Sequence, residues 1–363
     1  MRLHHLTHWY ERYERWLSLA ALAGGFLFDA LTLSRIDVFS NNIGILIYLF
    51  IALICIACIN VYENKKQNLS TTLAARIHFW LIISMQFAFG GLLGTFLILY
   101  FRSGTLIASW PFIALLIIFF AFNEILNKLY TKLVFQVGML FISIYLFTIF
   151  LVPVIIHHIG NWVFIFSGLI TIAAIALILW GLSYIANNRF VENKRMILIS
   201  LASLTLIINI LYFTNLIPPI PLALKETGVY HSIARTGTGD YTVTDEKQSF
   251  WRFFSTSKLL HFLPGKPIYA YSSIFSPSYL NTQVIHDWQY YDEQKEQWIS
   301  ETKISLSIIG GRDSGYRTYS VKENTRPGLW RVNILTPSNQ LIGRMKFEVE
   351  MVDSVPELIT KTL

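Results

Sequence analysis

The sequence predicts an α-helical membrane bundle of about seven spans, followed by an all-β sandwich. Three observations predict it. The chain of 363 residues is 54% hydrophobic and 14% charged, whereas soluble domains carry about a quarter charged residues. Apolar runs near the length of a spanning helix recur as far as Asn215 and then stop. Beyond Leu216 the pattern changes to short alternations of apolar and polar residues, separated by turn residues.

The expected spans are Trp16–Ser34, Ile43–Val61, Ile77–Tyr100, Thr105–Asn123, Leu133–Val152, Asn161–Tyr184 and Met196–Asn215. The third and fourth are separated only by "FRSG", a tight turn between antiparallel neighbours. Up to Asn215 there are thirteen Lys and Arg against seven Asp and Glu; after it there are sixteen against fifteen. The basic surplus therefore belongs to the hydrophobic half. Eleven cations fall on the N-terminal arm and alternate loops (Arg2, Arg12, Arg15; Lys65, Lys66, Arg76; Lys128, Lys132; Arg189, Lys194, Arg195), and two, Arg35 and Arg102, fall on the intervening loops. This bias predicts a cytoplasmic N-terminus and places everything after Asn215 on the opposite side. The charge is not arranged as the stripe of a nucleic-acid binder, so no nucleic-acid partner is expected. The first span is expected to remain as an anchor, because its arm carries Glu11 and Glu14 and no small-residue cleavage site follows. The arm "HHLTHWYERYERW" reads as an interfacial helix. Cytoplasmic loops of about 15 residues are too short to fold a catalytic domain.

Polar groups inside the spans are candidate sites because each is costly in hydrocarbon. Asp29 lies within the first span, with Arg35 and Asp37 at its outer end. Gln86 and Gln136, in the third and fifth spans, are its expected partners. Three readings compete: fixing bundle packing, lining a proton or substrate pathway, or snorkelling near the interface. Cys55 and Cys58 have C-x-x-C spacing but sit in an unbroken apolar run, where thiolate chemistry is disfavoured. Gly90 and Gly94 provide a small-residue face for close helix approach. No metal site and no cofactor are expected.

The segment 216–228, with Pro218, Pro219 and Pro221, reads as a linker. Strands are expected at "IYAYSSIF", "TQVIHDWQYY", "QWISETKISLSI", "YRTYSV", "LWRVNIL" and "IGRMKFEVEM", with a hairpin turning at Asp292–Lys295. At least seven short strands and no convincing helix argue for an immunoglobulin-like sandwich over 229–352, and the polar tail from Asp353 is expected to fray.

The strings "VIHDW" and "SIIGGRDSGYRTYSVKENTRPGLWRVNILTPSNQLIGRMKFEV" carry a resemblance. They resemble the bacterial domain family DUF2914, with its glycine–arginine turn, R-T-x-S, P-G-x-W-R-V and a closing F-x-V strand. The hydrophobic half, through "GGFLFDALTLSRID", resembles the multi-span region DUF5924. The resemblance implies an inner-membrane protein with a periplasmic β domain, and it implies no activity.

The turn "GGRDSG" invites a phosphate-loop reading. Such a loop needs a helix after it, and "YRTYSV" alternates like a strand. The turn is therefore expected to be structural, with Gly310, Gly311 and Gly315 taking angles that side chains disfavour and Pro327–Gly328 forming a second turn. A competing expectation is an exposed ligand face of Trp288, Arg312, Tyr316, Arg317 and Arg331, with Tyr271, Tyr290 and Trp298 as further stacking aromatics. Arginine forks suit phosphate and carboxylate, and aromatics stack on sugars. The expected function is a non-enzymatic envelope protein whose sandwich binds a protein, glycan or lipid headgroup. The alternatives are a transporter or membrane enzyme working through Asp29, and a receptor subunit with a separate cytoplasmic partner. No nucleophile–base constellation stands out, and His231, His261 and His286 are scattered along the sequence.

Overall fold

A computed structural model describes residues 39–65, 72–103, 106–122, 129–237, 240–247, 258–312 and 314–363. The expected first span, with Asp29, Arg35 and Asp37, lies outside the described residues, as does Asp313.

Six helices are described: α1 (Phe39–Lys65), α2 (Thr72–Ser103), α3 (Leu106–Phe122), α4 (Leu133–Ile156), α5 (Asn161–Ile185) and α6 (Asn187–Phe213). All but α3 are long and apolar enough to cross a membrane. In α3, 17 residues long, the shorter apolar run Ser109–Phe120 carries Pro111 inside the helix. The basic residues Arg189, Lys194 and Arg195, expected in a loop, lie in the first turns of α6. "NNRFVENKR" contains no glycine or proline, so nothing in it stops a helix.

The bundle packs around α4, most of whose residues are buried. Several of the buried polar groups are paired, as an apolar surrounding favours, although Ser143 Oγ in α4 is buried without a hydrogen-bond partner among the described residues. Gln136 Nε2 donates to the Tyr130 carbonyl at 2.6 Å, and Gln136 Oε1 accepts from Asn60 Nδ2 at 2.6 Å. Thr148 and Thr171 share a 2.8 Å hydrogen bond between α4 and α5. Phe164 stacks on Tyr212 with ring centroids 3.6 Å apart, tying α5 to α6. Close approach of α1 and α2 runs through Gly91, where a Cβ would meet the Tyr48 ring at 2.7 Å. Gly90 and Gly94 are buried beside it. Cys55 is buried and Cys58 exposed, and neither forms a disulfide.

The main division of the chain falls between Ile217 and Pro218. After it, eleven strands are described: β1 (Ala223–Tyr230), β2 (Ser232–Arg235), β3 (Tyr241–Glu246), β4 (Lys258–Phe262), β5 (Ile268–Phe275), β6 (Thr282–Asp292), β7 (Gln297–Ile308), β8 (Tyr316–Lys322), β9 (Gly328–Leu335), β10 (Leu341–Met351) and β11 (Leu358–Thr362). The first strand thus begins inside the segment read as linker. The tail does not fray: β11 pairs antiparallel with β3 from Leu358–Glu246 to Thr362–Thr242, so its backbone groups find partners despite its polar side chains. The hairpin turn is set by Asp292, whose Oδ1 accepts the backbone N–H groups of Gln294 and Lys295.

The strands form a five-stranded sheet (β4-β10-β9-β6-β7) and two three-stranded sheets (β1-β5-β8 and β11-β3-β2). The sheet β1-β5-β8 is the middle layer. Along β5, Ala270, Ser272 and Ile274 alternate with Tyr269, Tyr271 and Ser273, and nearly every position is buried. On one side His286 of β6 reaches across to Ser272 at 2.9 Å and Ser320 at 2.8 Å. On the other, Tyr271 packs with Tyr230, Ile233 and Val243, against which Leu363 also packs. The β-sandwich is therefore the five-stranded sheet on β1-β5-β8, with a third small sheet on its far side. A two-layer reading of the sequence lacks that third layer.

The turn at 310–315 needs glycine for two reasons. Gly311 and Gly315 have φ of 97° and 88°, as expected. Gly310 differs: a Cβ there would lie 1.9 Å from the Pro277 carbonyl oxygen, so the requirement is space and not angle.

Candidate functional site

Alternation assigns the two faces of the five-stranded sheet. His286, Trp288, Trp330, Val332 and Ile334 are completely buried on the inner face. Trp288 therefore cannot serve as a ligand platform; its indole N–H donates to Ser320 Oγ at 3.0 Å inside the core. Tyr271 is equally buried, at the third layer.

Arg331 and Arg344 emerge on the outer face, half-buried, from β9 and β10. Arg331 lies directly opposite Lys346, and Arg344 directly opposite Asn333. The two arginines are thus diagonal neighbours, a placement long side chains can span. Arg331 Nε donates to Gln289 Oε1 at 2.6 Å, and its guanidinium lies 4.3 Å from the centroid of the Trp298 ring. Trp298 in turn packs on Tyr291, with ring centroids 5.1 Å apart. Gln289 Nε2 and Ser300 Oγ both donate to Asp287, occupying one carboxylate oxygen each. Arg344 Nε donates to Asn333 Oδ1 at 2.6 Å. Each guanidinium therefore spends its Nε on a neutral amide. Among the described residues neither forms an ion pair with a carboxylate.

The electrostatics follow. Burial, and then the positive charge of Arg344, push Arg331 down to about 10 against the pull of Asp287. Burial also lowers Arg344. Partial desolvation together with like charge makes this a surface that gains by taking up an anion.

The remaining predicted residues are not brought to this face. Arg312 lies over the Tyr316 ring at 5.9 Å in the β7–β8 turn. Arg317 pairs with Asp240 at 2.9 Å, a partner on the far side of the middle sheet. Pro327 and Gly328 start β9, where Gly328 has φ of 121° and Tyr290 Oη donates to the Pro327 carbonyl. Gln86 lies within α2 and Gln136 is bonded as above; nothing described connects either to a ligand.

A second cluster was not foreseen. His231 Nε2 meets Glu246 Oε1 at 2.9 Å, and His261 Nδ1 meets Glu246 Oε2 at 2.8 Å. The His261 backbone N–H also donates to Oε1 at 2.6 Å. Next to it Lys258 and Lys361 both reach Asp245, at 2.6 and 3.4 Å. Burial pushes the Glu246 carboxyl up, but the hydrogen bonds from His231 and His261 outweigh it and hold the group at about 2. No group of three His, Cys, Asp or Glu among the described residues is placed to hold a metal. The cluster ties together β3, β4 and the β1–β2 corner. A carboxyl lowered from about 4.5 to about 2 stabilises the fold above pH 4.5, and that contribution is lost as pH falls towards 2. Glu246→Gln should therefore cost about 2 kcal/mol at neutral pH and flatten the stability profile between pH 4.5 and 2. Denaturant unfolding at a series of pH values measures both effects.

The comparisons with known proteins bear on this same sheet. Residues 281–349 match the family described as "Protein of unknown function (DUF2914)". That stretch takes in β6 to β9 and most of β10, and with them every residue of the arginine face. No curated protein matches the sequence. Among solved structures, an immunoglobulin-like protein from Pseudomonas aeruginosa is similar at 9% identity and a TM-score of 0.23, over 36% of this chain and 98% of that one. A β-glucosidase from Listeria innocua in complex with gluconolactone is similar at 13% identity and a TM-score of 0.19, over 30% of this chain and 16% of that one.

Proposed function

We propose that this chain is a multi-pass inner-membrane protein that presents its DUF2914-matching β-sandwich in the periplasm, where the sandwich binds an anionic envelope component, a glycan or lipid headgroup, without catalysing a reaction on it. The observation that carries this reading is the outer face of the five-stranded sheet, where Arg331, beside Trp298, and Arg344 lie half-buried and form no ion pair with a carboxylate among the described residues. Location rests on the charge bias of eleven cations against two between the alternate ends of the expected spans. The helix bundle then serves as anchor, held by paired polar groups such as Gln136 and Asn60. The Ser272–His286–Ser320 group is sealed in the core and inaccessible to substrate.

Two measurements test the reading. An alkaline phosphatase fused behind Leu363 through a flexible spacer should be active, and a fluorescent reporter that matures only in the cytoplasm should stay dark there. The reverse pattern refutes the periplasmic location. The full chain in neutral-lipid nanodiscs should retain acidic envelope glycans or anionic lipids in preference to neutral ones. Equal retention of both refutes anion recognition.

A further inference from the structure

We propose that Arg331 and Arg344 together form the subsite for a phosphate group on the exposed face of the five-stranded sheet. The inference rests on the binding function above and narrows it to one ligand chemistry.

Register is the first argument. Arg331 faces Lys346 across β9 and β10, and Arg344 lies on its diagonal. Like charges directly opposite each other destabilise a sheet, and an anion between them removes that cost. Geometry is the second. The Nε bonds to Gln289 and Asn333 orient both guanidinium planes, and among the described residues no carboxylate pairs with the terminal Nη donors. An arginine fork matches two oxygens of a phosphate, and a tetrahedral dianion has enough oxygens to serve two forks, which a planar carboxylate does not. The third argument is the treatment of the nearby acid. Asp287 accepts from Gln289 and Ser300 and acts on Arg331 only through space, with no ion pair between them among the described residues. Trp298 and Tyr291 border the subsite and offer ring surface to whatever carries the phosphate.

Two sources carry this chemistry, a phospholipid headgroup and a phosphorylated sugar or free phosphate. The test uses the full chain in phosphatidylcholine nanodiscs. Calorimetric titration is made with inorganic phosphate, glucose 1-phosphate and glucuronate, and liposomes containing phosphatidic acid are bound to immobilised nanodiscs. At least one phosphate probe should bind saturably. Arg331→Gln and Arg344→Gln should each weaken it at least ~10-fold, Lys346→Gln about 3-fold, and glucuronate should bind at least ~10-fold more weakly than phosphate. Binding of the soluble probes assigns a free or sugar phosphate as the source. Binding of the liposomes alone assigns a lipid. The exposed Lys346→Gln variant keeps the test informative if an arginine variant misfolds. Absence of saturable binding by every phosphate probe overturns the proposal. So does binding unchanged in folded arginine variants, or glucuronate binding as tightly as phosphate. Retention of envelope glycans that persists in the arginine variants would leave the broader function standing and this subsite refuted.

Discussion

Replacing His286 by Ala is expected to destabilise the β-sandwich by about 4 kcal/mol. His286 is completely buried, and each ring nitrogen is bonded to a serine of the middle sheet, Ser272 and Ser320. Truncation opens a cavity between the two sheets and orphans a buried hydroxyl on the Ser272 side, while Ser320 retains only the Trp288 N–H. Gln at this position, with one donor and one acceptor end, should recover part of the loss. Acid should produce a related loss in the unmodified protein. Burial holds His286 down to about 4 from its ordinary 6.5, so the unfolded chain takes up a proton before the native one. The native state is then favoured by the full amount above pH 6.5 and gives it up as pH falls from 6.5 to 4, by about 3 kcal/mol. Limited proteolysis of the full chain across that range measures the change, and the His286→Ala variant should lack it.

Gly310→Ala is expected to cost about 3 kcal/mol or more. The added methyl would lie 1.9 Å from one backbone carbonyl oxygen, that of Pro277, and 2.9 Å from another, that of Leu280. Neither can swing aside as the end of a flexible side chain can. The neighbouring Gly311→Asn substitution provides the contrast. Its Cβ meets only ordinary contacts near 3.7 Å, and asparagine tolerates positive φ better than other residues, so a loss below about 1 kcal/mol is expected. Equal losses at the two positions would show that angle and not space governs the turn. The glycine–arginine string is thus a fitted joint between β7 and β8.

Much of the fold is legible because the signals are local. From β5 to β10, each strand alternates strongly enough for period two to place it, and Trp330 and Arg331 separate onto opposite faces as W-R-V suggests. The less legible strands are short and polar, and they pair over long sequence separations. β11, "LITKT", finds its partner in β3, and β4 runs parallel to β10. Nothing in either segment announces such a partner. Trp288 was misread for a similar reason. The aromatics Trp288, Tyr290 and Tyr291 fall on both faces of β6, so residue type alone does not mark which ring is buried. Arg331 was recognisable by residue type. Arg344 became its companion only through the β9–β10 register, which a single sequence does not display. Glu246 with His231 and His261 was hidden in the same way, since three elements must fold before the residues meet.

The pairing of β11 with β3 has a practical consequence for handling the protein. β3 is flanked by β2 on one side and by β11 on the other, and Leu363 rests against the tyrosine layer. Trimming residues 358–363 would bare the peptide groups of Thr242, Val243 and Thr244, leaving an unguarded seam to which a second molecule could stitch itself. Preparations shortened at that end should sediment as larger species, and purification tags are better joined through a spacer than butted against Leu363.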